Sequence, residues 1–316
     1  MKHLFGASLL KFAAVALFCS TVSTDAATRL IAWGDMNYDI EALCSKKPDV
    51  RGISSGSLHS AFIRSDRKVV VWGDNQFGQT NIPAKIKRAP VVSVAAGNVH
   101  TLALLGNGTV AAWGPTNGQF GDFGQTTVPA KLKKVKAVAA GAIHSLALTK
   151  SGTVVAWGAN ETGQCDVPED LNRVVAIAAG TYHSLALRTD GTVVAWGSNN
   201  QGQCNVPEGL SNVVAIAAAG FHSVALKADG TVVSWGTYGL AQIEVPEELS
   251  DVVAIATGDY HVLALKRDGS LVAWGFNDKG QCDIPPLPGK VVFIAARGSH
   301  SMILVDDTPA KSKARR

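Results

Sequence analysis

Histidine is the side chain best suited to metal ligation and to proton transfer near neutral pH. The chain carries it at His59, His100, His144, His183, His222, His261 and His300. Spacings of 41, 44, 39, 39, 39 and 39 residues argue against both chemistries. A metal centre or catalytic site gathers unlike residues at one point. These histidines instead recur in one phrase, A-A-G-x-x-H-S or a close variant, and so occupy equivalent places in successive copies of a unit. The tryptophans behave alike. Trp33, Trp72, Trp113, Trp157, Trp196, Trp235 and Trp274 are all the chain has, each is followed by glycine, and from Trp72 onward each lies 13 residues after a histidine. There is no nucleophile phrase, no glycine-rich phosphate loop and no metal-ligand spacing. The sequence therefore predicts no enzyme, with no catalytic, cofactor-binding or metal-binding residue. The histidines are expected to hydrogen-bond the turn beside them, and the tryptophans to pack between units.

The elements that must hold these residues are strands. Each unit has apolar runs of five to seven residues, rich in valine and alanine, separated by turn residues, as in V-V-A-I-A-A-G-T-Y-H-S-L-A-L-R-T-D-G-T-V-V-A-W-G from Val174. Asp190-Gly191, Asp229-Gly230, Asp268-Gly269, Asn107-Gly108 and Ser151-Gly152 sit between two such runs and supply the positive φ of a tight hairpin. The first run uses small side chains, which suits a crowded innermost strand. Each unit then ends in a Val-Pro or Ile-Pro pair, such as Val167-Pro168, and proline is tolerated at a sheet edge. This reads as a fourth, irregular, outermost strand.

Four strands per unit and seven units predict an all-β, seven-bladed propeller. Trp33 has no histidine phrase before it and His300 has no tryptophan after it. The N-terminal half-unit is thus the piece that the C-terminal half-unit lacks. Strands from the two chain ends should share one blade and leave no unpaired edge.

The phrases G-x-x-H-S-L-A-L, D-G-x-V-x-A-W-G-x-N and G-Q-x-x-V-P resemble the repeats of the regulator of chromosome condensation family, in the short form of bacterial secreted propellers. They are similar to those of β-lactamase-inhibiting propellers of that class. The resemblance covers nearly all of residues 29 to 306. It implies the propeller fold and a binding role, since members range from nucleotide exchange on a small GTPase to enzyme inhibition. It also implies that aromatic residues just before the histidine carry the inhibitor's interface. Tyr182, Phe221 and Tyr260 share that character here, while Leu58, Val99 and Ile143 do not.

Residues 1–26 combine Lys2, His3 and Lys11 with an apolar stretch and a small-residue end, the pattern of a secretory signal peptide cut after Ala26. Residues 27–306 are expected to form the single propeller domain, and 307–316 a disordered basic tail. A secreted or periplasmic monomer without a membrane span follows. The net charge of +4 does not predict nucleic-acid binding. Its distribution is uneven, because Lys85, Lys87, Arg88, Lys131, Lys133, Lys134 and Lys136 follow the early prolines and Glu169, Asp170, Glu208, Glu247 and Glu248 the later ones. Cys44, Cys165, Cys204 and Cys282 remain after cleavage. Equivalent positions in adjacent blades lie too far apart for most disulfides, so free, partly buried thiols are expected, with Cys44–Cys282 across the seam as the candidate exception.

Function should lie where the repeat varies. Leu58, Val99, Ile143, Tyr182, Phe221 and Tyr260 precede the histidine, and Asp259 stands one residue further back. Phe77, Tyr238 and Phe276 follow the Trp-Gly pair, and the third unit is longer there, from Pro115 to Phe123. Alternating strand direction puts both sets of turns on one face. That surface is open to two roles, a contact site for a protein or cell-surface partner and a plug of the channel mouth.

Overall fold

The computed structural model describes residues 28–35, 49–116, 118–236 and 244–306. Residues 1–27, all of 307–316, Cys44 and Tyr238 lie outside that set. The described residues form seven three-stranded antiparallel sheets and no helix.

Blade one consists of Val50–Ser55, His59–Arg64 and Val69–Gly73. Blade two follows with Val91–Ala96, Thr101–Leu105 and Val110–Trp113, and blade three with Val135–Ala140, His144–Thr149 and Val154–Gly158. Blade four contains Val174–Ala179, His183–Arg188 and Val193–Gly197. Blade five contains Val213–Ala219, His222–Lys227 and Val232–Trp235, and blade six Val252–Thr257, His261–Lys266 and Leu271–Gly275. Blade seven is composite. Lys290–Arg297 and His300–Asp306 come from the C-terminal side, and Thr28–Gly34 pairs along the whole of His300–Asp306, with Thr28 opposite Asp306 and Gly34 opposite His300. The expected seam is thus present.

Within a blade the middle strand is buried on both faces, as in His183–Arg188, so it reads as a continuous apolar run instead of an alternating one. The first strand carries a bulge near its start in all seven sheets, for example between Val174 and Ala176. A bulge bends the strand and increases its twist. Each tryptophan is buried against the preceding blade: Trp196 lies among Ala137, Ala139, Leu146 and Leu148, and Trp33 among Ala256, Leu263 and Leu265. The core is therefore a set of clusters between blades.

The expected fourth strand is absent among the described residues. The described loops after Trp-Gly fold on themselves, as where Asn160 accepts from the Cys165 N–H and donates to Asp166, and Asp166 N–H donates to Gly163 O. Their polar groups are met locally, and proline removes a donor the sheet would need. Cys165, Cys204 and Cys282 are free thiols whose Sγ atoms donate to Ala159 O, Ser198 O and Phe276 O. Burial pushes all three up to about 11. The partner considered for Cys282, Cys44, lies outside the described residues, and the three described thiols are poor nucleophiles at neutral pH.

Candidate functional site

The histidines form a ring of contacts from blade to blade. Nε2 of His59, His100, His144, His183 and His261 meets the hydroxyl of Thr101, Ser145, Ser184, Ser223 and Ser301 at 2.8, 3.0, 3.1, 3.0 and 2.8 Å. Each of those hydroxyls already donates to the main-chain oxygen of a buried glutamine, for instance Ser184 to Gln164 O at 2.9 Å. The histidine must then be the donor, which fixes the proton on Nε2. The expectation of a bond to the adjacent turn is corrected. The ring packs on that turn, but its hydrogen bond crosses to the next blade. The packing explains the preceding glycine, since a Cβ on Gly141 would lie 2.1 Å from His144 Cε1.

Blade six departs from this rule and repairs itself. Val262 stands where the other repeats have a hydroxyl, and His222 instead meets the hydroxyl of Thr257, from the end of the first strand. His300 meets both Ser55 and Ser60 of blade one. Burial holds the histidines down to about 3 for His100, His144, His183, His222 and His261, and about 4 for His59 and His300. They are neutral, fully used structural donors. Among the described residues no group of three His, Cys, Asp or Glu side chains is placed to hold a metal ion.

The inner strands enclose an apolar central cavity of about 190 Å³, lined by residues such as Ala95, Ala139, Ala178 and Ile255. Its mouth on the histidine-turn face is closed by one side chain that the sequence reading did not single out. Arg297 of blade seven, 5% exposed, reaches across the axis. Its Nη1 donates to Ala179 O at 2.9 Å and Ala140 O at 3.5 Å, its Nη2 to Asn98 Oδ1 at 3.4 Å, and its Nε lies 3.6 Å from Asp259 Oδ1. Blades two, three, four and six are tied to blade seven through this guanidinium. Desolvation lowers its pKa, and the Asp259 carboxylate opposes that. Asp259 also accepts from Gly220 N–H at 3.1 Å, and Ser57 donates to Asn98 at 2.6 Å. The mouth is thus plugged by a polar network, and Asp259, expected as a contact residue, is part of that plug. The available signal was the phrase A-A-R-G-S-H, in which arginine stands at the glycine position. Gly298, with a φ of 54°, makes the tighter turn that admits it.

The pre-histidine turns and the loops after Trp-Gly do share one face. Ser198 N–H donates to Tyr182 O at 2.8 Å, Asp74 N–H to Leu58 O at 2.8 Å and Phe276 N–H to Tyr260 O at 2.9 Å. Tyr182 and Phe221, from adjacent blades, have ring centroids 6.2 Å apart, as do Tyr260 and Phe276. Across the ring Phe77 meets Phe120 at 6.2 Å. Phe120 is 90% exposed, and Phe123, Phe276 and Leu58 are 44%, 43% and 41% exposed. Val99 and Ile143 are half-buried, Val99 lying in chain order between Phe77 and Phe120 and Ile143 between Phe123 and Tyr182. The sequence reading named the long third-unit loop but missed Phe120 and Phe123, whose exposure depends on how that loop folds. Carboxylates surround this surface, among them Asp74, Asp122, Glu161 and Asp278, and Lys279 is the one exposed cation among the described residues of these loops.

The comparisons with known proteins agree with this architecture. Residues 41–282 match the RCC1-like domain. The ultraviolet-B receptor UVR8 of Arabidopsis thaliana is 35% identical over 96 residues, which cover 27% of this chain and 21% of that protein. The human E3 ubiquitin-protein ligase HERC2 is 31% identical over 125 residues, covering 31% of this chain. The chain spans only 2% of HERC2, so it matches small parts of these relatives. Among solved structures, Prp20p of Saccharomyces cerevisiae superposes with a TM-score of 0.72 at 20% identity, over 89% of this chain and 92% of Prp20p. Human WBSCR16 gives 0.70 at 20% identity, over 89% and 100%. With seven blades, a shared seam and a family match across three quarters of its length, the chain belongs to the RCC1-like domain family of β-propellers.

Proposed function

We propose that this protein is a non-catalytic binding propeller that docks a protein partner on its loop face. One observation carries the reading. Every large apolar side chain exposed among the described residues, Leu58, Phe120, Phe123 and Phe276, belongs to that face, beside Tyr182, Phe221 and Tyr260. Clustered apolar exposure marks a contact surface, and aromatic anchors dominate binding energy at interface centres. The surrounding carboxylates favour a partner with a basic rim. Yeast Prp20p, which shares the fold, has binding properties toward Gsp1p and histones, and Kap60 binds it. The leader-like pattern of residues 1–26 supports a secreted or periplasmic location.

The aromatic arc of Tyr182, Phe221 and Tyr260 supports a second reading, inhibition of a β-lactamase or penicillin-binding enzyme. A GTPase regulator is disfavoured by the leader-like pattern of residues 1–26. The test is a pull-down from the native extracellular fraction with the full chain, followed by affinity measurement on the captured protein. The Tyr182→Ala, Phe221→Ala, Tyr260→Ala triple variant should bind about 30-fold more weakly or worse, with an unchanged melting temperature. Wild-type affinity in that variant would reject the face. Assaying the chain against a serine β-lactamase decides the second reading.

A further inference from the structure

We propose that the face opposite the loops carries a binding site for a linear anionic polysaccharide, formed by the linkers that enter blades two and three. The linkers read P-A-K-I-K-R-A-P from Pro83 and P-A-K-L-K-K from Pro129. In each, a short turn (Ile86 N–H to Pro83 O, Leu132 N–H to Pro129 O) seats the aliphatic residue against the blade, with Ile86 2% exposed. The flanking Lys85, Lys87, Lys131 and Lys133 are exposed on a backbone already fixed by that anchor.

Backbone hydrogen bonds join the pieces into one arc. Val91 N–H donates to Arg67 O at the hairpin tip of blade one, Val135 N–H to Gly108 O at the tip of blade two, and Lys150 N–H at the tip of blade three to Lys134 O. Arg64, Arg67, Lys68 and Lys150 thereby extend the same strip. Asp66 is the one carboxylate along it from Arg64 to Lys150 on this face, and it is already paired with Arg64 at 3.5 Å and Lys68 at 3.6 Å.

Solubility alone does not account for the strip. The same linker positions carry Glu169, Asp170, Glu208, Glu247 and Glu248 in the later blades, so the repeat tolerates either sign. A solvated rim mixes signs, and clustering one sign costs self-repulsion. The surface also constrains the ligand. Among the described residues it presents no helix for a DNA groove and no exposed aromatic ring for base stacking. It has no exposed large apolar side chain among the described residues to enter a bilayer, since all of those stand on the other face. A sulfated or carboxylated glycan needs neither stacking nor insertion.

Heparin serves as the probe, with the full chain. Binding at 0.15 M salt is expected, weakening steeply as salt rises. Replacing Lys85, Lys87, Lys131 and Lys133 together by glutamine should weaken it at least about tenfold. Glutamine at Lys227, Lys266, Lys279 and Lys290 removes the same charge elsewhere and should change it less than about twofold. Equal losses in the two variants would reduce the effect to net charge and overturn the site, as would no binding at 0.15 M salt. Tighter binding to single-stranded DNA or to phosphatidylserine vesicles than to heparin would overturn the glycan assignment. The loop-face partner plays no part in this measurement, so either proposal can fail alone.

Discussion

The indole Nε1 of Trp33 donates to the main-chain oxygen of Gln281 at 3.0 Å, linking residues 248 apart in sequence. Ser301 donates to the same oxygen at 3.0 Å. Trp157, Trp196 and Trp235 make the equivalent bond to Gln125, Gln164 and Gln203 at 2.9 to 3.0 Å. The junction of the chain ends therefore uses the same latch as the three junctions made by Trp157, Trp196 and Trp235, whereas the buried Trp113 Nε1 makes no such bond. On its other side Thr28 exchanges hydrogen bonds with Val50 of blade one at 2.9 and 3.0 Å.

Deleting residues 27–34 removes both contacts and uncovers the His300–Asp306 strand. Aggregation, or a large fall in melting temperature, is expected, because an unpaired edge templates association. Trp33→Phe keeps the ring and loses the bond, and should cost about 1 kcal/mol in denaturant unfolding beyond its packing change. A deletion variant that stays monomeric at the wild-type melting temperature would remove the seam from the account.

Thr257 supplies the hydroxyl that Val262 lacks. Thr257→Ala should leave the His222 donor buried without a partner and cost about 1 to 3 kcal/mol. Val262→Ser, which restores the repeat's usual hydroxyl, should recover much of that loss in the Thr257→Ala background while doing little alone. Additive effects in the double-mutant cycle would show that the two positions do not serve the same histidine.

The buried histidines set an acid limit. Their folded pKa values, about 3 to 4, lie below the usual 6.5, so between those limits the unfolded chain binds more protons and stability falls as pH falls. Each histidine costs about 1 kcal/mol over the first pH unit below 6.5, and seven together approach the whole stability of a domain. Cooperative unfolding near pH 5 is expected in circular dichroism. His183→Gln should flatten the profile there. An unfolding free energy unchanged from pH 7 to 5 would contradict the neutral assignment.

Arg297→Ala leaves Asp259 at the channel mouth without its counter-charge and opens the network. A loss of about 3 to 5 kcal/mol is expected. Arg297→Leu combined with Asp259→Asn removes both charges and should be markedly more stable than Arg297→Leu alone. If the two are equally stable, the ion pair is not what holds the mouth.

The unit, its strands, its hairpins and the closure of the ring were legible in the sequence because each rests on local information. Turn chemistry at Asp190-Gly191, small residues in Ala176–Gly180 and a fixed 13-residue step from histidine to tryptophan are set within one repeat, and the split half-units state how the ends must meet. The shared face of Tyr182, Phe221, Tyr260 and Phe276 followed from strand direction alone. The fourth strand was misread because Val-Pro is compatible with a sheet edge, and only the folded loop shows Asn160 and Asp166 satisfying its backbone locally. The histidine bonds were misdirected because neighbouring blades bring Ser184 to His144 across 40 residues, a distance that no local rule covers. Arg297 shows the same limit most sharply. In sequence it is one deviant residue in the seventh repeat, and its partners Asn98, Ala140, Ala179 and Asp259 belong to four other repeats. A long side chain at the axis of a closed ring is equally near every blade. Closure of the ring therefore decided its contacts, along with which loop aromatics stayed exposed and how separate lysine-bearing linkers merged into one strip.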